Sequence, residues 1–191
     1  MRRPYSFQQG DLDGLCGAYS VINAISWGLH SLRVHHGHSR PYRSLREHER
    51  DNLFRALLEA VITSRSRSRI VVDGLHSLDL VHMLRVASTW LSQERVIRLR
   101  YSRPLYHHRR VRPVRMMRIL TTCLARPGTA VILGVESPWK HWTVVTSVAS
   151  RCLLLLDSGG YSQLVLCPVG NQHVSKVKPS SVFLVELADT A

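Results

Sequence analysis

Apolar positions recur at helical spacing through the first two thirds of the chain and then switch to a period of two. Residues 14 to 29, GLCGAYSVINAISWGL, are apolar on most faces of a helix, which predicts a buried one. The polar stretch HSLRVHHGHSRPYRS that follows reads as a loop. Residues 44 to 63, SLREHERDNLFRALLEAVIT, predict a second helix, with Ser44 and Glu47 spaced as a capping box. SRSRSR at 64 to 69 reads as a linker, and IVV at 70 to 72 as a short strand. Ser77 is placed to cap a third helix, LDLVHMLRVASTWLSQ. RVIRLRY alternates like an exposed strand. Pro113 opens a fourth helix, VRMMRILTTCLA, which should stop at Arg126-Pro127-Gly128.

Beyond Gly128 five strand-like runs follow: TAVILGVE, HWTVVTSVA, RCLLLLD, SQLVLCPV and SVFLVEL. Helices first and strands last predict an α+β fold with an antiparallel sheet, the first helix packed on it. There is no internal repeat and no low-complexity block. Residues 1–191 therefore read as a single domain, helical over about 14–126 and sheet over about 129–188.

Composition narrows the class. Apolar content of 45% and charged content of 20% over 191 residues suit a globular chain with a real core. No apolar run approaches the roughly 18 residues needed to span a bilayer. The basic start MRRPYSFQQG lacks the apolar segment of a secretory signal. Cys16, Cys123, Cys152 and Cys167 form no CxxC pair, so a reducing cytoplasmic location is expected, or export by a signal-less route.

The net charge of +13 comes almost entirely from arginine, with Lys140, Lys176 and Lys178 the three lysines. Nine arginines fall between Arg95 and Arg118. That run reads as a surface for an acidic partner protein or for nucleic acid, or as the solvated face of an arginine-preferring chain. No helix-turn-helix, RNP-like or zinc-finger pattern accompanies it, so an acidic protein is at least as good a partner as nucleic acid.

The candidate chemistry starts at Cys16, between an acidic turn and an apolar helix. A thiol at a helix N-terminus meets unpaired N–H groups and the positive end of the dipole, which favours thiolate. Gly14 and Gly17 are small neighbours that would let a substrate backbone approach. His141 opens one strand-like run and Asp157 closes the next, 16 residues later. A hairpin turning near Ser150-Arg151 would set the two side by side at one edge of the sheet, where a carboxylate can fix an imidazole's tautomer. Asn171 is a second residue able to orient the histidine. The Cys16 N–H, with the side-chain amide of Gln9 or of Gln8, could form an oxyanion hole. Asp11 and Asp13 suit helix capping, the cleft wall or a turn. The other three cysteines read as core. His35, His36 and His38 lack the spaced second cluster that a metal site requires. Trp139 and Trp142 are expected to flank the cleft, or else to pack in the core.

Glutamine, then Cys-Gly, then His-Trp, then Asp, in this order, resembles the papain-like cysteine peptidases, in particular small bacterial ones such as the bacteriocin-leader peptidases. The resemblance covers roughly residues 8 to 29 and 129 to 160. The Gln9–Cys16 gap is one residue longer than that family's usual spacing, and Gly14-Leu15 replaces its acidic residue before the cysteine. The resemblance implies a papain-like fold with Cys16 as nucleophile, His141 as base, Asp157 as its orienting group and Gln9 in the oxyanion hole. It implies cleavage of a peptide or isopeptide bond in a protein substrate through a thioester acyl-enzyme, with no cofactor or metal. Deamidation and transglutamination use the same groups. A non-catalytic arginine-rich binding module is the alternative of a different class. Only 15 residues precede Cys16, so no inhibitory prosegment is expected.

Overall fold

A computed structural model of the chain describes residues 6–8, 15–37, 42–63, 74–137, 140–167 and 175–189. The described elements run α1 (Cys16–His36), α2 (Glu47–Ile62), α3 (Ser77–Arg95), β1 (Ile97–Ser102), α4 (Pro113–Leu124), β2 (Thr129–Ser137), β3 (His141–Val148), β4 (Cys152–Leu156), β5 (Gln163–Val165) and β6 (Lys176–Asp189). The six strands form one sheet in the order β1-β6-β2-β3-β4-β5, and every neighbouring pair is antiparallel. The fold is α+β, as the change of period implies. The segments 64–69 and 70–72 lie outside the described residues.

Both faces of the sheet are covered. Ala130, Ile132, Val144, Phe183 and Val185 join the apolar faces of α1, α2 and α3 in one core. Their alternate neighbours Val131, Leu133, Val145, Val182 and Leu184 join Met116, Met117 and Leu120 of α4 in a second. This is why TAVILGV is continuously apolar: a strand buried on both sides has no polar face to show.

Four boundaries differ from the sequence reading. Helix α1 does not stop near residue 29. It continues to His36, because buried Leu29 and Leu32 extend its apolar stripe through a stretch that looks polar. It ends at Gly37, in a positive-φ conformation, with Arg33, His35 and His36 against the negative end of its dipole. Helix α2 starts at Glu47 rather than Ser44. Its cap is the Glu49 carboxylate, which accepts the Arg46 N–H at 2.7 Å. Likewise Ser77 is the first helical residue of α3 and not its cap, and Asp79 reaches back to the His76 N–H at 2.7 Å. The run SQLVLCPV pairs only over Gln163–Val165, whereas the last strand is 14 residues long and takes in the polar KVKPSS.

The end of β2 is shaped around one ring. The β2–β6 register shifts on either side of Val135. A Cβ at Gly134 would stand 2.7 Å from the Ser181 side chain and 3.1 Å from the Trp142 ring. Glycine there lets the indole lie flat against the strand, and so fixes where β3 begins.

Candidate active site

His141 is the first residue of β3, and Asp157 follows the last residue of β4. The β3–β4 pairing, Val144 with Leu156 and Val148 with Leu153, returns the chain as the hairpin geometry requires. His141 Nε2 lies 2.7 Å from Asp157 Oδ2, with the Asp157 side chain wholly buried and His141 11% exposed. The other carboxylate oxygen accepts the Gly159 N–H at 2.8 Å and the Tyr161 N–H at 3.3 Å. The turn SGGY thus holds the carboxylate at a fixed angle.

Cys16 is the first residue of α1 and only 9% exposed. Its neighbours explain its position. Ala18 and Tyr19 donate to the Leu15 carbonyl, starting the helix without a side-chain cap. Leu15, the residue that opens the helix, has no side chain able to cap the first-turn N–H groups beside the sulfur. Upstream, Phe7 is pinned to the buried Asn23: its N–H donates to Asn23 Oδ1 at 2.7 Å, and its carbonyl accepts from Nδ2. Phe7 also packs with Tyr19 and Phe54, ring centroids 5.1 and 5.7 Å away.

The electrostatics tie three groups together. Burial alone would favour a neutral His141 ring. Hydrogen bonds to Asp157 and to Cys16, and the charges of both, outweigh burial and raise the imidazole from 6.5 to about 9. With Nε2 on Asp157, Nδ1 is the ring nitrogen left for the sulfur. Burial pushes Asp157 upward, but His141, Thr143 and the Gly159 N–H together hold it below the ordinary carboxylate value. The buried Thr143 hydroxyl makes no well-formed hydrogen bond. It still stands close enough to Asp157 to favour the charged form.

Cys16, His141 and Asp157 are therefore brought together. Gln9, Asp11, Asp13, Gly14, Trp139 and Asn171 lie outside the described residues. Gln8 is exposed, and its amide donates to Ser6 Oγ at 3.3 Å. Two expectations are corrected. Gly17 does not open the site to a substrate backbone. It faces inward, where a Cβ would meet Leu80 at 2.8 Å and Leu75 at 3.1 Å, so its role is to let the start of α3 pack against α1. Trp142 is not a cleft wall: it is buried, its indole N–H donates to the Leu75 carbonyl at 2.6 Å, and it packs edge-on to Phe183. Among the described residues Tyr161 is the aromatic beside His141, edge-on at 5.9 Å.

Asn23, Thr143 and Tyr161 were not singled out in the sequence. Asn23 was legible as the one amide inside an apolar helix, and Thr143 as the residue two along the strand from His141. Cys123 and Cys167 pack at the edge of the second core, while Cys152 is half-buried and joins neither core. Cys123 is half-buried, and burial pushes its thiol up. Cys167 lies 3.7 Å from Met117 Sδ, and Cys152 lies 3.8 Å from Gln163 Oε1.

Of the nine arginines between Arg95 and Arg118, two are structural. Arg95 is buried and paired with Glu49 at 2.7 Å. Arg103 hydrogen-bonds the Ser180 carbonyl and stacks on Tyr106 and Phe183, at 4.0 and 4.9 Å. The other seven are exposed. Among the described residues no helix is long and apolar enough to cross a membrane. Comparison of the chain with protein-family models, with curated proteins and with solved structures found no match.

Proposed function

We propose that the chain is a papain-like thiol hydrolase acting on a peptide or isopeptide bond of a protein substrate. The observation that carries this is the buried relay: Asp157 bonded at 2.7 Å to His141, whose imidazole is held to about 9 by that bond and by Cys16. A histidine kept protonated beside a thiol at a helix start has the form of an activated nucleophile. Cys16 Sγ attacks the carbonyl carbon. The negative charge that develops on the carbonyl oxygen faces the backbone N–H groups at the start of α1, with Gln9 as the second donor implied by the family pattern. His141 gives its proton to the leaving nitrogen as the C–N bond breaks, leaving a thioester on Cys16. It then takes a proton from water, whose oxygen attacks the thioester and releases the acid and the thiolate. Asp157 keeps the ring in register throughout. An amine in place of water, or a side-chain amide in place of the peptide bond, turns the same steps into transamidation or deamidation.

The test is the pH dependence of iodoacetamide alkylation, with the modified cysteine identified by peptide mass. Cys16 is expected to react ahead of Cys123, Cys152 and Cys167 below about pH 7. The His141→Ala variant should lose that advantage. Equal reactivity of all four thiols, or a rate at Cys16 indifferent to His141, overturns the reading.

A further inference from the structure

The chain's three lysines and the centre of its arginine cluster converge on the end of the sheet that carries His141 and Asp157. The pairs Val135–His141 and Val135–Val177 show that β3 and β6 begin at this end. Lys140 immediately precedes β3, Lys176 and Lys178 open β6, and all three are exposed. Strand β1 runs toward the same end, from Ile97 opposite Asp189 to Ser102 opposite Leu184. Helix α4 leads away from it, since it feeds Thr129 at the far end of β2. The connection 103–112 and the first turn of α4 therefore lie toward the site end, and Arg103 fastens that connection to Ser180 of β6.

Arg109, Arg110, Arg112 and Arg115 are exposed there, and among the described residues none is in an ion pair or a side-chain hydrogen bond. Among the described residues the opposing acids are few. Glu136 is exposed near the end of β2, Asp157 is committed to His141, and Asp79 is committed to the His76 N–H. Seven exposed cations at one end of a small domain form a field that attracts anions from beyond contact distance, and clustered guanidinium groups match carboxylates in pairs.

We infer that this basic rim binds an acidic segment of a protein substrate and so delivers the neighbouring carbonyl to Cys16. The inference rests on the thiol chemistry proposed above. That chemistry needs an acyl group, which favours a protein over a nucleic acid.

Two measurements on the full chain test it. The first is binding of a fluorescent deca-glutamate peptide, competed by a single-stranded oligonucleotide of equal charge. Replacing Arg109, Arg110, Arg112 and Arg115 with Gln is expected to weaken peptide binding by about tenfold or more. Replacing Arg55 and Arg85, on α2 and α3, should leave it unchanged. The second is the ratio of alkylation rates of Cys16 by iodoacetate and by iodoacetamide. The anionic reagent should be favoured, and the preference should shrink in the Arg variant and in a Lys140, Lys176 and Lys178→Gln variant. It should also shrink in unchanged protein as salt rises from about 50 to about 300 mM, where screening shortens below the rim's width. Peptide binding indifferent to these residues and to salt, or an oligonucleotide that displaces the peptide while itself binding more tightly, overturns the inference. A rapidly alkylated Cys16 with no peptide binding removes the rim and keeps the thiol chemistry. Rim-dependent peptide binding with an unreactive Cys16 does the reverse.

Discussion

Two carboxylates, Asp157 buried and Glu49 partly so, anchor opposite ends of the molecule, and they differ in what their partners have left over. At the far end, Glu49 accepts both Arg43 nitrogens at 2.7 and 2.8 Å, Arg95 at 2.7 Å and the Arg46 N–H at 2.7 Å. Although burial pushes the other way, these bonds pull it from 4.5 to about 2. Arg95 spends its other hydrogen bond on the Arg43 carbonyl. Both Glu49 oxygens are taken up inside that cluster, which joins α2 to α3, although Arg95 Nε is buried without a partner. At the site end Asp157 is held just as firmly, but its partner is a ring with two nitrogens, one of which remains for Cys16. A closed cluster stabilises. An open one can pass a proton.

Cutting each cluster at its cation or its carboxylate separates the two roles. The largest effect is expected from His141→Ala. It should slow alkylation of Cys16 near neutral pH about a hundredfold, as followed by mass spectrometry, and it should also lower the melting temperature at neutral pH, because the raised imidazole and its bond to the buried Asp157 are both lost. Glu49→Gln should lower stability alone. Leaving Arg95 buried without its counter-charge is expected to cost about 2 kcal/mol, less than a fully buried pair because Arg43 is 38% exposed. Urea titration measures that loss, and Cys16 reactivity should be unchanged. If Glu49→Gln slows Cys16 as much as it destabilises the fold, the division between the two ends is wrong.

How legible each end was in the sequence follows from what positions it. His141 and Asp157 were legible because a hairpin needs only two alternating runs and a turn between them. Cys16 was legible because its helix is apolar and begins there. The role of Gly17 was not, since it depends on Leu75 and Leu80, some sixty residues away, coming within reach of a missing Cβ. The Glu49 clamp was hidden too. Arg43, Arg46 and Arg95 look like any of the chain's other arginines until α2 and α3 pack together. The extension of α1 past residue 29 was masked by HSLRVHH, in which Leu32 and His30 are buried while Arg33, His35 and His36 carry the polarity.

The pH dependence divides the same way. Relative to an unfolded imidazole at 6.5, the raised His141 adds stability that is complete below about pH 6.5 and lost as pH rises toward about 9. Glu49 is depressed, so its contribution is complete above about pH 4.5 and lost as pH falls toward about 2. Melting profiles should thus lose stability on the alkaline side in wild type but not in His141→Ala. On the acid side below about pH 4.5, they should lose it in wild type and less in Glu49→Gln. The alkylation of Cys16 should ignore the Glu49 limb.

The smallest effect expected is at Thr143, and it probes how tightly the open cluster is tuned. Its hydroxyl is buried, has no well-formed partner, and lies near enough to Asp157 to favour the carboxylate. Thr143→Val keeps the shape and removes the oxygen. Without that dipole Asp157 protonates more readily, so the acid limb of Cys16 alkylation should retreat to slightly higher pH, with the neutral-pH rate within about threefold of wild type. Thr143→Ser should restore the limb, which a packing role for the methyl group would not do. An unchanged limb in the valine variant, with a gain in stability, would mean that the hydroxyl is merely an unsatisfied buried dipole. Asp157 would then owe its charge to His141 and the SGGY turn alone.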